Sequence, residues 1–269
     1  MISKPATRLD SDATPADVRE ACRAGQHTTH TAGLAPGYAQ ANLVVVPKDL
    51  AYDFLVFCHR NPKPCPLLDV TDMGNPEPVQ TAPGADLRSD LPRYRVFRHG
   101  ELVEETTDIS DYWDDSMAGF LLGCSFTFEQ AMQQAGIPVR HLDAGTVVPM
   151  YRTNIACTPA GPFTGEMVVS MRMIPADHVV RAVEVTSRYP AVHGSPVHIG
   201  DPEIIGIKDL NDYAWGDAPV SEPGDVPVFW ACGVTPQSIA MQIKPDLMIT
   251  HAPGCMFVTD LPIHQLSAR

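Results

Sequence analysis

The stretch Val226–Gln237, VPVFWACGVTPQ, restricts the fold more than any other part of the chain. Its run from Val226 to Cys232 is short, β-branched and aromatic, and Gly233 and Pro236 close it, which is the pattern of a buried strand. Thr235 is a favoured N-cap and Pro236 suits the first turn, so a helix is expected from there to Ile243. Asp246–Thr250 then reads as a second strand. The spacing is too long for a tight hairpin and sufficient for a crossover helix, so the unit is expected to be β-α-β with parallel strands. Open parallel sheets bind ligands beyond the carboxyl ends of their strands. Gly233 and Thr235 would then share an edge with His251, where free N–H groups and the helix dipole favour an anion. The same pattern also fits an ordinary capped helix beside a structural histidine.

With 269 residues, one large domain carrying an insertion is the expected organisation. The fold class is expected to be α/β, with a mixed, partly parallel sheet domain formed by residues 1–125 and 200–269. A smaller α+β subdomain would be inserted at 126–199. The formal charge of −13 argues against nucleic acid and anionic membranes as partners. No apolar run approaches the roughly 18 residues of a membrane span. A small anionic substrate would need a locally basic pocket, and homo-oligomerisation is left open. Met1–Asp12 is polar, so no secretory signal is expected. Seven cysteines without a CxxC pair fit reduced thiols and a cytoplasmic location. They also give no reason to expect a metal or another cofactor.

Along the chain, Thr14, Pro15, Asp17 and Gly25 bracket a first helix. Leu43–Val46 and Leu67–Val70 read as strands, Pro47–Arg60 as a helix, and Tyr94–Glu105 as a hairpin turning at His99-Gly100. Arg60 opens a proline-rich loop, RNPKPCP, that displays basic and amide groups. Cys124 precedes a helix, a place where a thiol is either activated or a small core residue. Arg152 and Asn154 lie in PMYRTN, where a planar guanidinium fork and an amide can hold a carboxylate or form a structural ion pair. Glu166–Met173 reads as a strand and Ala176–Arg188 as a helix. The loop HGSPVHIGDP follows, carrying His193, His198 and Asp201, and it can transfer protons, bind a metal or be purely structural.

The segments TAGLAPGYAQANL, FCHRNPKPCPLLDV, FLLGCSFTFE, VPMYRTNI, VVSMR, HGSPVHIGDP, VPVFWACGVTPQ and ITHAPG occur in that order between about Thr31 and Asp260. Together they resemble the hydro-lyase family related to D-glutamate cyclase. The resemblance implies a mixed α/β protein of two subdomains and a reaction in which D-glutamate closes to 5-oxo-D-proline and expels water. Such a reaction needs a cation for the α-carboxylate, a base for the amine, an acid for the leaving oxygen and donors for the oxyanion. Arg152 or Arg60 would clamp the carboxylate, with Asn154 orienting an oxygen. Amides from Gly233 to Gln237, with Thr235, would form the anion hole. His251, His198 and Asp201 would move protons. A dehydratase of a small hydroxy acid would use much the same set, and a non-catalytic carboxylate binder only the first part of it.

Overall fold

In the computed structural model, Leu9 and residues 13–267 are described, so the polar stretch Met1–Asp12 falls almost wholly outside the described residues. Helix α1 (Pro15–Arg23) starts at Thr14, which exchanges hydrogen bonds with Asp17 in a capping box. The chain continues through β1 (Tyr38–Pro47), α2 (Lys48–Arg60), β2 (Leu67–Val70) and the hairpin β3 (Tyr94–Arg98) and β4 (Glu101–Thr106). His99 and Gly100 both take positive φ in that turn, as the His-Gly pair suggests. Next come β5 (Met117–Gly123), α3 (Phe126–Gln134), the short α4 (Arg140–Asp143), β6 (Met150–Ala156) and β7 (Glu166–Pro175). The last part holds α5 (Val179–Ser187), β8 (His198–Ile199), β9 (Asp225–Ala231), α6 (Thr235–Ile243), β10 (Met248–His251) and β11 (Phe257–Pro262).

Two sheets result. One has the order β2-β5-β1-β10-β3-β4, with β11 also on β1, and the other has the order β6-β7-β9-β8. Every strand pairing among the described residues is antiparallel. The parallel β-α-β unit expected at Val226–Thr250 is therefore absent. β9 pairs with β7 and β8, whereas β10 pairs with β1 and β3, so the helix between them crosses from one sheet to the other. Strand and helix were each legible, but their local pattern carries no information about which distant strand each will pair with. The four-stranded sheet runs from Met150 to Ala231, past the expected subdomain boundary at Ile199.

Within β1 the alternation decides the layers. Val44 and Val46 enter a core shared with Phe54 and Phe57 of α2, Val169 and Phe229 of the second sheet, and Ile239 of α6. Leu43 and Val45 face the other way, into a core with Tyr94, Leu121 and Phe257. A third core joins Phe128 and Met132 of α3 to Ala182 of α5 and to Val228 and Trp230 of β9.

The architecture is internally duplicated. β1 and β7 each run for 10 residues, end in proline and lead into a helical stretch. Each is the neighbour of a strand that is followed directly by a cysteine and turns into a helix, in GCSFT at the end of β5 and ACGVT at the end of β9. The hydrogen bonds match pair by pair. Cys124 N–H donates to the Gln40 carbonyl at 3.0 Å and Cys232 N–H to the Val168 carbonyl at 2.9 Å. Thr127 Oγ1 accepts from Gln40 N–H at 3.1 Å, and Thr235 Oγ1 accepts from Val168 N–H at 3.0 Å. The chain then exchanges partners. β6, which follows the first turn, lies on β7, while β10 and β11, which follow the second, lie on β1.

Candidate active site

The residues expected to form the site are divided between buried and exposed places. His251 ends β10 at 1% exposure. Leu43 N–H donates to its Nδ1 at 3.2 Å, and its buried Nε2 meets no partner. Burial, reinforced by the Arg95 charge, brings its pKa down to about 4, so the ring is neutral at neutral pH. Thr235 is the first residue of α6 and not its cap, which is Val234. Its hydroxyl donates to the Cys232 carbonyl at 2.7 Å and accepts from Val168 N–H of β7 at 3.0 Å, and the residue is fully buried. Gly233 is buried against β1, and a Cβ there would stand 2.0 Å from Asn42 Nδ2, which only glycine avoids.

The other members lie apart from these. His198 donates from Nε2 to the Asp201 carbonyl at 2.6 Å, and the Asp201 side chain accepts from Glu203 N–H at 3.0 Å. His198 and Asp201 are thus brought together, but among the described residues no hydrogen bond joins either to His251. His193 is buried, donates from Nδ1 to the Lys63 carbonyl at 2.6 Å, and has its pKa lowered to about 4 by burial. Arg60 donates to the Pro159 carbonyl at 2.5 Å, and Asn154 to the Ile204 carbonyl at 3.4 Å. Arg152 is exposed, with its guanidinium 4.8 Å from the centre of the Trp215 ring. Cys124 and Cys232 are buried, and burial raises both thiols, Cys232 to about 11. Neither has the depressed pKa of an activated nucleophile.

Sequence reasoning passed over a charged cluster where the two turns meet. Arg172 of β7 is 3% exposed, stacked on Phe128 and Trp230, and hydrogen-bonded to Ser170, Ser125 and Glu129. Glu129 is 2% exposed and its Oε1 also lies 3.1 Å from His141 Nε2. Burial pushes the Glu129 carboxyl up, but Arg172 and His141 outweigh it and hold the pKa below the ordinary value. The signal was present, since an arginine inside the apolar strand MVVSMRMIP must be buried and therefore paired.

A cleft of about 420 Å³ lies beside the end of β10. Ala252, Pro253 and Cys255 form its wall after His251, Arg93, Arg95 and Glu105 come from the β3–β4 side, and Val147 and Trp215 from the side of the second sheet. Arg95 Nε donates to Glu105 Oε1 at 2.7 Å, and Arg93 Nη1 lies 3.7 Å from Glu105 Oε2. His30 also lines the cleft, and its Nδ1 is buried without a partner. Arg152 does not line the cleft itself but covers Trp215, which does. The volume is in the range of small-molecule sites. Two guanidinium forks, one carboxylate and one imidazole can hold a small zwitterion that carries a second carboxylate.

Residues 118–260 match the sequence profile of the family described as D-glutamate cyclase. A protein of Stutzerimonas stutzeri named "Putative hydro-lyase" is 62% identical over 95% of this chain and 96% of its own length. A protein of Geobacillus kaustophilus with the same description is 62% identical over 93% of this chain and 95% of its own. "Putative hydro-lyase YcsI" of Bacillus subtilis is 60% identical over 92% of this chain and 96% of its own. By the profile match and by identity sustained over nearly the whole chain, the protein belongs to the D-glutamate cyclase family.

Proposed function

We propose that the protein is a hydro-lyase of small carboxylic acids, with D-glutamate as the substrate that closes to 5-oxo-D-proline. The observation that carries this reading is the gathering of Arg93, Arg95, Glu105 and His30 in one cleft of about 420 Å³. In D-glutamate the α-carboxylate and γ-carboxylate call for the two guanidinium groups, and the α-ammonium calls for Glu105. Arg152 stands at the rim on Trp215 as the further carboxylate contact. His30, which lines the cleft and whose buried Nδ1 has no partner, is the first candidate to take the ammonium proton. The freed amine attacks the γ-carboxyl carbon, the C–N bond forms, and a C–O bond breaks as the oxygen leaves in water. His251, at the end of the strand that supplies the cleft wall, is the second candidate for proton transfer. The names of the relatives and the family description support the same reaction class.

The test follows D-glutamate and 5-oxo-D-proline by proton NMR in both directions, with wild type and Arg95→Gln. Turnover is expected in the wild type. Losing a charge-assisted contact of about 1.5–3 kcal/mol should cost the variant roughly 10- to 150-fold in kcat/KM. Absence of turnover in wild type, together with D-glutamate binding that ignores Arg95, would sink the reading.

A further inference from the structure

The duplicated halves differ where the loop before the long strand meets the helix. Gly37 and Gly165 stand directly before β1 and β7, at matching positions. A Cβ on Gly165 would stand 2.6 Å from Gln242 Oε1 and 3.1 Å from Ile239 Cγ1, so α6 closes directly onto that loop. A Cβ on Gly37 would meet nothing within 4 Å, and a cavity of about 120 Å³ is left between α3 and the loop before β1. Glu129 is part of its wall. Arg172 donates to Glu129 Oε1 and the His141 ring lies beside the same oxygen, whereas Oε2 accepts no hydrogen bond among the described residues. Unlike the sealed Nε2 of His251, this oxygen keeps accessible surface. Gln130 and Gln133 add two side-chain amides to the wall, Phe126, Leu142 and Ile263 make part of it apolar, and no lysine, arginine or histidine lines it.

We propose that this cavity binds a short-chain primary alkylammonium ion, whose N–H groups donate to Glu129 Oε2 and whose chain lies on Phe126, Leu142 and Ile263. The carboxylate fixes the sign of the ligand. Burial opposes its charge, but Arg172 and His141 outweigh burial and keep it ionised, and an anion would meet that charge with no cation in the wall to offset it. One free oxygen suits an ammonium head, whereas a guanidinium fork needs two. The amide oxygens of Gln130 and Gln133 can take the remaining N–H groups. The volume sets the length of the chain, because about 120 Å³ is the liquid share of about four waters, room for the nitrogen and roughly three carbons. A bare inorganic cation would leave the apolar side unfilled. The cavity shares no residue with the cleft at β10, so this proposal stands or falls separately from the hydro-lyase reading.

The test titrates n-propylammonium chloride into the full chain and follows the side-chain amide signals of Gln130 and Gln133 by NMR, with n-propanol, propionate and ammonium chloride as the other probes. Saturable shifts of both amides are expected with propylammonium. Its affinity should exceed that of propanol at least about 10-fold, the margin of a charge-assisted over a neutral hydrogen bond, and propionate should not bind. Gln130→Trp fills the cavity from a half-buried helix position and should weaken binding at least about 10-fold. Glu105→Gln, which removes the carboxylate of the other cleft, should leave it unchanged. Propylammonium that gives no saturable shift overturns the proposal, as does equal binding of propanol or ammonium chloride, unweakened binding in folded Gln130→Trp, or loss of binding in Glu105→Gln. Should Gln130→Trp fail to fold, the ratio of propylammonium to propanol affinity in the wild type decides alone.

Discussion

The two halves use one backbone device for different chemistry. Each has a strand followed directly by a cysteine, a turn closed by threonine on the neighbouring strand, and a helix behind it. The fifth residue after the cysteine is Glu129 in the first half and Gln237 in the second, and both are buried. On the neighbouring strand Arg172 of β7 stands where β1 has Val44, each facing the corresponding residue of its partner strand, Val228 or Phe120. The first turn is thus occupied by the Arg172–Glu129 ion pair, with the His141 ring beside the carboxylate. The second is neutral. Gln237 donates to the His251 carbonyl at 2.7 Å, while its own Oε1 and the His251 Nε2 lack partners. Unsatisfied polar atoms at these depths are unfavourable for stability and are the form in which a fold holds groups ready for chemistry. The difference between halves lies in side chains, since the backbone bonds are the same.

The comparison breaks most visibly if the charged half is given the neutral side chain. Glu129→Gln removes the countercharge of a buried arginine, and breaking one partner of such a pair typically costs about 3–5 kcal/mol. Urea unfolding should therefore show a large fall in the midpoint. Adding Arg172→Met should recover much of it, because a buried pair replaced as a whole by apolar side chains is close to neutral. A double variant as unstable as the single one would mean that Arg172 serves its serine contacts more than its ion pair.

Acid separates the halves next. His251 binds its proton near pH 6.5 when unfolded and only near 4 when folded, because burial favours the neutral ring. Between those values the unfolded state holds more protons. The stability from this site is therefore fully present above about pH 6.5 and lost as the pH falls toward 4, by up to about 3 kcal/mol. His251→Gln should flatten that part of a stability-against-pH curve measured by urea unfolding. Glu129 acts at lower pH. Its depressed pKa contributes stability above the unfolded value of 4.5, which drains away on acidification through the folded value. An unchanged slope in His251→Gln would show that the ring is not buried in solution.

A smaller effect tests the duplication itself. Thr127→Val and Thr235→Val each leave a buried strand N–H, that of Gln40 or Val168, without its acceptor. Each should cost about 1–3 kcal/mol, and the two losses should be similar in the same urea assay. A loss confined to one of them would show that the matching turns do not carry matching weight.

Elements were legible in the sequence and their assembly was not. The strand at Leu67–Val70 and the hairpin at His99-Gly100 follow from apolar alternation and turn chemistry within a few residues. Capping at Thr14 was equally local. The pairing of β10 with β1 depends on residues two hundred positions away, as the contact between Leu43 and His251 illustrates, and no local rule reaches that far. The site followed the same division. His251, Gly233 and Arg152 were recognisable as chemical types, yet whether each is sealed, wedged against Asn42 or spread over Trp215 is decided by packing between sheets. Arg93, Arg95 and His30 gave no local signal, because partly exposed arginines and a loop histidine are ordinary surface residues until the fold gathers them.

The finest test concerns strand β6 and its counterpart. Arg152 faces Val168 on β7 as Val258 of β11 faces Gln40 on β1, so one half carries a cation where the other carries an aliphatic side chain. Arg152 is exposed and its ring contact is with Trp215, a wall of the cleft, so it adds reach at the rim and little to folding. Arg152→Lys keeps the charge but loses the planar fork and the stacking, which at exposed sites is worth about 0.5–1 kcal/mol. A contact made alike in ground and transition states changes KM without changing kcat. The expected result with D-glutamate is therefore a KM raised about two- to five-fold at unaltered kcat and unaltered urea midpoint. A fall in kcat at constant KM would instead put Arg152 on the reacting carboxyl group, and the rim position assigned to it would be wrong.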